Sequence, residues 1–184
     1  MVQGSVIALA GRRPDPENAQ ERRFRADWTP HVGCEIRNAL EQFQATALVC
    51  SAACGTDLLG LEAAGELGIH RRIVLPFDRD LFRTTSVVDR PGRWGDLYDR
   101  ILNEVQATED VVVLGCDPAD VNAYLTTNKS ILMEANSMAQ NRNELLRALV
   151  VWDGNSRGPD DVTARFLQSA MEAGIPTTEI RLAA

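Results

Sequence analysis

The sequence predicts an α/β fold with a mostly parallel sheet, and three observations carry that prediction. Short runs rich in Val, Ile, Leu and Ala ("SVIALA", "ALVCSA", "IVLP", "VVVLG", "LVVW") recur along the chain. Stretches with apolar residues at helical spacing separate them. The runs are continuously apolar rather than alternating, the pattern of strands buried on both faces. Together they describe a Rossmann-like three-layer sandwich, a sheet of about five or six strands with helices on both sides.

Each element follows from local signals. Ser5 to Ala10 is a first buried strand, ended by Gly11. Val32, Ile36, Leu40 and Phe43 recur at helical spacing and predict an amphipathic helix. Ala47 to Ala52 reads as the second strand, Thr56 to Leu67 as the second helix and Ile73 to Pro76 as a short third strand. The segment 77–94, "FDRDLFRTTSVVDRPGRW", is too long for an ordinary link and is expected to be a functional flap or mobile excursion. Leu97, Tyr98, Ile101, Leu102 and Val105 form another helical face before a fourth strand, Val111 to Gly115. Asp117 to Asn143 reads as mostly helical with a break near "TTNKS". Leu149 to Trp152 is a fifth strand; Val162, Phe166, Leu167 and Ala170 mark the last large helix, with Gly174 placed to cap it. Thr178 to Leu182 is expected as a sixth, edge strand.

Length and composition bound the rest. With 184 residues, 45% hydrophobic and 24% charged, the chain suits one domain spanning 1–184. No apolar run approaches the ~20 residues that cross a bilayer. The arginines of "MVQGSVIALAGRR" follow the apolar run, unlike a signal peptide, so a cytoplasmic location is expected. A net charge of −7 argues against broad nucleic-acid binding. Arg12, Arg13, Arg22, Arg23 and Arg25 cluster after the first strand, either as a solvated loop or as an anion clamp. Cys34, Cys50, Cys54 and Cys116 form no CxxC pair and no metal spacing with His31 and His70, so neither a metal nor a cofactor is expected.

In an open parallel sheet the ligand crevice lies beyond the carboxyl ends of the strands. Here those ends carry "GRRPD", "SAACGTD", "PFDRD", "GCDPAD" and "WDGNSRG". In the second, Ser51, Ala52 and Ala53 leave room for a ligand, and Gly55 permits a tight turn. The helix starting at Thr56 would offer unpaired N–H groups to an anion. Asp57 would repel a phosphate and suits a sugar hydroxyl better. The competing reading is structural: Thr56 caps, Asp57 favours the helix dipole, and small residues let helix pack on sheet. Glu62 is either a general acid or base facing the crevice or a solvated helix residue. Trp152, Asp153 and Gly154 could stack a base and bind a sugar, or simply form a turn. No GxGxxG, GxxxxGK[ST] or GxSxG sequence occurs.

The segments "ALAGRRPD", "LVCSAACGTDLLGLEAAGELGI" and "ALVVWDGNSRGPDDVTARFLQSAMEAGIPT" together resemble the SLOG superfamily, over about residues 5 to 180. That group joins the DNA-processing protein DprA, the cytokinin-activating LOG enzymes and many stand-alone Rossmann-like nucleotide binders. The resemblance implies that Gly11 and Arg12, with Arg13 beside them, form a first ligand loop. It implies a phosphate-and-sugar loop at Ser51, Gly55, Thr56 and Asp57, and a late ligand turn at Trp152, Asp153 and Gly154. The family's double glycine is Ala52-Ala53 here. Of the LOG motif PGGxGTxxE, Gly55 and Thr56 match, but the glutamate position is Leu59.

The first expectation is therefore a domain that binds a nucleotide or nucleotide-derived ligand, as a sensor without turnover. The alternative is a LOG-like phosphoribohydrolase cleaving the N-glycosidic bond of a nucleoside monophosphate, with Asp57 or Glu62 as the catalytic carboxylate. DprA-like handling of single-stranded DNA would need a basic groove and stacking aromatics, which an acidic chain with 5% aromatic residues does not favour. Self-association into a homo-oligomer is expected from the resemblance.

Overall fold

Alternation along the central strand organises the molecule. In β1 (Ser5–Gly11), Ile7 and Leu9 point to one face of the sheet while Val6, Ala8 and Ala10 point to the other, and all five are buried. A strand buried on both sides in this way belongs in the middle of a covered sheet. The computed structural model describes residues 3–182; residues 1–2 and 183–184 of the expected domain lie outside the described residues.

Five further strands join β1: β2 (Ala45–Cys50), β3 (His70–Leu75), β4 (Val111–Val113), β5 (Leu145–Trp152) and β6 (Thr177–Arg181). They form one six-stranded sheet in the order β4-β3-β2-β1-β5-β6. Every pairing is parallel, so the expected mostly parallel sheet is wholly parallel. Among the described residues six α-helices cover it: α1 (Thr29–Gln42), α2 (Thr56–Glu66), α3 (Arg79–Ser86), α4 (Trp94–Gln106), α5 (Ala123–Arg142) and α6 (Val162–Glu172). Val32 and Ile36 of α1, Leu58 and Leu61 of α2, and Tyr98 and Ile101 of α4 pack on the Ile7–Leu9 face. Ile131 and Met138 of α5 and Phe166 of α6 pack on the Val6–Ala10 face. Among the described residues, no helix is long and apolar enough to cross a membrane.

Two expected features are corrected. Residues 77–94 are not a loose excursion, because α3 lies inside them. Asp78 Oδ1 caps that helix by accepting from the Asp80 and Leu81 N–H groups at 3.1 and 3.0 Å. Phe82 and Ser86, one turn apart, anchor it in the interior. Nor does α5 break at "TTNKS". Thr127 Oγ1 donates back to the Ala123 carbonyl at 2.8 Å, and Asn128 Nδ2 donates to the Val162 carbonyl at 2.8 Å. Both polar side chains are buried yet bonded, so the helix runs unbroken through them.

The chain reverses its progress across the sheet once. From β1 it steps outward to β4; α5 then returns it to the far side of β1, where β5 pairs in full register, Gly11 opposite Val151. Loops leaving β1 and β5 at their carboxyl ends depart to opposite faces, and a crevice opens between them.

Candidate functional site

A cleft of about 390 Å³ occupies that switch point. Its walls come from the end of β1 and its loop (Leu9 to Pro16), from Ser51, Ala53 and Asp57 beside β2, and from Phe82, Ser86 and Arg90 around α3. Tyr124, Thr127, Asn128 and Ile131 of α5 and residues 157 and 160–163 before α6 complete it.

Gly11 explains how β1 and α2 meet. A Cβ there would lie 2.4 Å from Thr56 Oγ1 and 2.6 Å from the Val151 carbonyl, so only glycine lets the helix start seat on the strand. Gly55, at φ +91°, turns the chain into α2, and a Cβ on it would strike Pro14 at 2.6 Å. The β1 loop thereby fills the mouth of α2. Arg12 O accepts from the Thr56 N–H at 3.3 Å and from Thr56 Oγ1 at 2.9 Å. The Leu58 N–H donates to Ala53 O at 3.3 Å and the Leu59 N–H to Gly55 O at 3.0 Å. Two first-turn donors expected to face an anion, the Thr56 and Leu58 N–H groups, are thus bonded inside the protein, and Cys54 N–H is bonded to Ser86 O.

Arg12 is almost fully buried and wholly engaged. Its guanidinium donates to Asp153 Oδ1 at 2.9 Å, Asp161 Oδ1 at 2.6 Å and the Asn155 carbonyl at 2.6 Å. It also lies 5.6 Å from the Trp152 ring centroid. Arg23 reinforces the cluster through Asp153 Oδ2 at 2.7 Å. This arginine holds the loop after β1 to the loop after β5 and forms one wall of the cleft. Arg13 reaches the other way, donating to Asp89 Oδ2, and Arg90 Nε donates to the Pro14 carbonyl at 3.1 Å.

The floor beside β2 is different. Asp57 is 9% exposed and accepts one protein hydrogen bond, from the Ala53 N–H at 3.2 Å. Burial pushes its carboxyl up to about 7; the Ala53 N–H and the Arg13 charge pull back only partly. Ser51 Oγ is buried beside it with no partner among the described residues. An acceptor with one donor and an unpaired hydroxyl in one concave surface are the groups a polar ligand would complete.

Of the residues expected from sequence, Gly11, Arg12, Arg13, Ser51 and Asp57 line the cleft, whereas Gly55, Thr56, Trp152, Asp153 and Gly154 stand behind it. Trp152 is 7% exposed, its Nε1 donating to Glu179 and its ring lying near both Arg12 and Arg181. Gly154, at φ +82°, makes room for Arg181. Glu62 lies away from the cleft, paired with Arg100 of α4 at 2.6 Å. Sequence reasoning missed Arg157, Asn128 and Tyr124. A polar pair inside an apolar helix pattern, Thr127-Asn128, was the available signal for α5's contribution.

No sequence-family profile matches this chain, and no curated protein matches it. Among solved structures, DNA processing protein A (DprA) from Streptococcus pneumoniae superposes with a TM-score of 0.58 at 16% sequence identity. The match covers 98% of this chain and 54% of that one, so the chain spans about half the length of the DprA chain. The fold is DprA-like. A second match, UDP-GlcNAc 2-epimerase from Methanocaldococcus jannaschii, has a TM-score of 0.38 at 13% identity over 100% of this chain and 74% of that one, and carries no argument. Likeness to DprA at this identity establishes the Rossmann-like architecture; the chemistry of the cleft rests on this chain's own residues.

Proposed function

We propose that this is a SLOG-type domain whose cleft binds a nucleotide or nucleotide-derived ligand in the cytoplasm, as a sensor rather than a catalyst. One observation carries the reading: Asp57 and Ser51, at the floor of a switch-point cleft, have fewer protein partners than their buried atoms require. A ribose, with adjacent hydroxyls that both donate and accept, supplies what they lack. Against turnover stands the position of Glu62, whose carboxylate is occupied by Arg100 outside the cleft. Calorimetric titration with a panel of nucleosides and nucleoside monophosphates tests the proposal. A binder is expected, weakened roughly tenfold or more by Asp57→Asn, since a hydrogen bond to a charged group contributes ~1.5–3 kcal/mol. A panel with no binder would refute it. Self-association belongs to the same reading, and sedimentation of the free and ligand-bound chain reports on it.

A second reading, an N-glycosidic hydrolase acting on a nucleoside monophosphate, is favoured by one feature. Asp57, with its carboxyl at about 7, is placed to gain or lose a proton at neutral pH. Release of free base from a nucleotide, abolished by Asp57→Asn and unchanged by Glu62→Gln, would support it. Intact nucleotides after prolonged incubation would exclude it.

A further inference from the structure

Four arginines line the cleft, and their pairing separates them. Arg12 is saturated by Asp153, Asp161 and the Asn155 carbonyl. Arg13 and Arg90 share Asp89. Arg157 alone of the four has, among the described residues, no side-chain hydrogen bond or ion pair. Its backbone is nevertheless fixed: the Arg157 N–H donates to Asp161 Oδ2 at 2.7 Å, so the side chain springs from an anchored point at the cleft's rim. Its side chain is exposed at the rim, near the Arg12 and Arg23 cations and the Asp161 and Asp153 carboxylates. Partial burial first, and then the Arg12 and Arg23 charges, lower its hold on its proton, against the pull of Asp161 and Asp153. Among the described residues no carboxylate forms an ion pair with its guanidinium, although Asp161 and Asp153 lie near enough to act on its charge.

The two helix starts at the cleft offer an anion few open donors. In the first turn of α2 the Thr56 and Leu58 N–H groups are bonded to Arg12 O and Ala53 O, and the Asp57 side chain lines the cleft beside them. In the first turn of α6, Asp161 Oδ1 accepts from the Thr163 and Ala164 N–H groups, both at 3.1 Å. Each helix start thus keeps one first-turn donor, the Asp57 N–H in α2 and the Val162 N–H in α6, without a hydrogen bond to another described residue.

We propose that Arg157 is the anion-binding residue of the cleft. A ligand lies across the cleft with a phosphate-type anion on the Arg157 guanidinium and a hydroxyl or ring N–H donor on Asp57. That orientation is the reverse of the one the loop before α2 suggests, which would seat phosphate beside Asp57. The Arg157 half stands on pairing and charge alone; the Asp57 half rests on the nucleotide reading above.

Arginine Nε–Hε correlation spectra of the full chain, titrated with inorganic phosphate against a chloride control, test the first half. The Arg157 signal is assigned by its loss in Arg157→Gln. It is expected to move along a saturating curve, while exposed Arg22 and surface-paired Arg93 follow the chloride control. An Arg157 signal that moves no more than that of Arg22 overturns the proposal. Calorimetry with AMP and adenosine tests the second half. Arg157→Gln should weaken AMP by roughly ten- to hundredfold, the range for losing a charge-assisted hydrogen bond, and leave adenosine unchanged. Equal loss for both ligands, or no loss for AMP, overturns the proposed orientation. If neither AMP nor adenosine binds the unmodified chain, the nucleotide reading and the orientation fall, and the phosphate titration decides the anion role by itself.

Discussion

Asp57 and Asp161 line the same cleft and are nearly equally buried, at 9% and 6% exposure, yet their environments drive them in opposite directions. Burial raises both. For Asp161, donors from Arg12, Arg157, Thr163 and Ala164 outweigh that effect and hold the carboxyl down at about 2. For Asp57, one N–H from Ala53 does not, and the carboxyl rises to about 7. What separates a structural carboxylate from one available to a ligand is the number of protein donors around it. The carboxylate on the β5 side is complete in its partners, and the one on the β2 side is left open.

The largest effect is expected from breaking the complete side. Arg12→Met leaves Asp153 and Asp161 without their main partner, and removing one member of a buried ion pair costs ~3–5 kcal/mol. Urea unfolding should show that loss. A cost below ~1 kcal/mol would mean that Arg12 is not the staple its contacts describe.

Next comes the pH dependence of the open side. A native Asp57 that keeps its proton to about pH 7, against ~3.9 when unfolded, makes the unfolded chain the poorer proton binder between those values. Stability from this group is therefore fully present below about pH 4 and is lost as pH rises toward 7. The loss is on the order of 2–4 kcal/mol. Asp57→Asn should flatten that decline. Asp161 has the opposite sign: its contribution is present above ~pH 4 and disappears as pH falls toward about 2. A denaturation series across pH that shows no slope removed by Asp57→Asn would contradict the contrast.

A smaller effect is expected where the two sides touch. Gly11→Ala forces a methyl against Thr56 Oγ1 and the Val151 carbonyl, and overpacking of this kind costs ~1–3 kcal/mol. The smallest belongs to Glu62→Gln, which removes a half-exposed surface pair with Arg100 and should change stability by no more than ~1 kcal/mol and ligand binding not at all. Lost binding in that variant would move Glu62 back into the site.

The strands were legible because a sheet buried on both faces demands continuous apolar runs, and "SVIALA" and "LVVW" are such runs. Helix α3 was obscured because its buried face is short, resting on Phe82 and Ser86, and because Pro91 and Gly92 made the whole segment resemble a loop. That Ser51, Asp57, Arg12 and Arg13 line the cleft was legible because a parallel sheet opens its crevice at strand ends. The roles within that set were not legible. Arg12 has the composition of an anion clamp, and only its distance to Asp153 and Asp161, far along the chain, shows that its charge is already spent. Arg157 was passed over for the converse reason, since the lack of a partner is a property of space and not of sequence.

The contact between Arg12 and Asp161 spans 149 positions of the chain. Strands β1 to β4 can assemble from sequence neighbours, but the staple waits for β5 and the start of α6, and closing so long a loop is entropically slow. Trp152 stands inside the staple and Trp94 on the early half, so the two are natural clocks. We expect refolding followed at Trp152 to lag refolding followed at Trp94, with the lag abolished in Arg12→Met; simultaneous signals would exclude the sequence of events. In a chain built this way the cleft forms late, and a nascent or partly unfolded molecule would hold a nearly finished sheet with the cleft still unassembled.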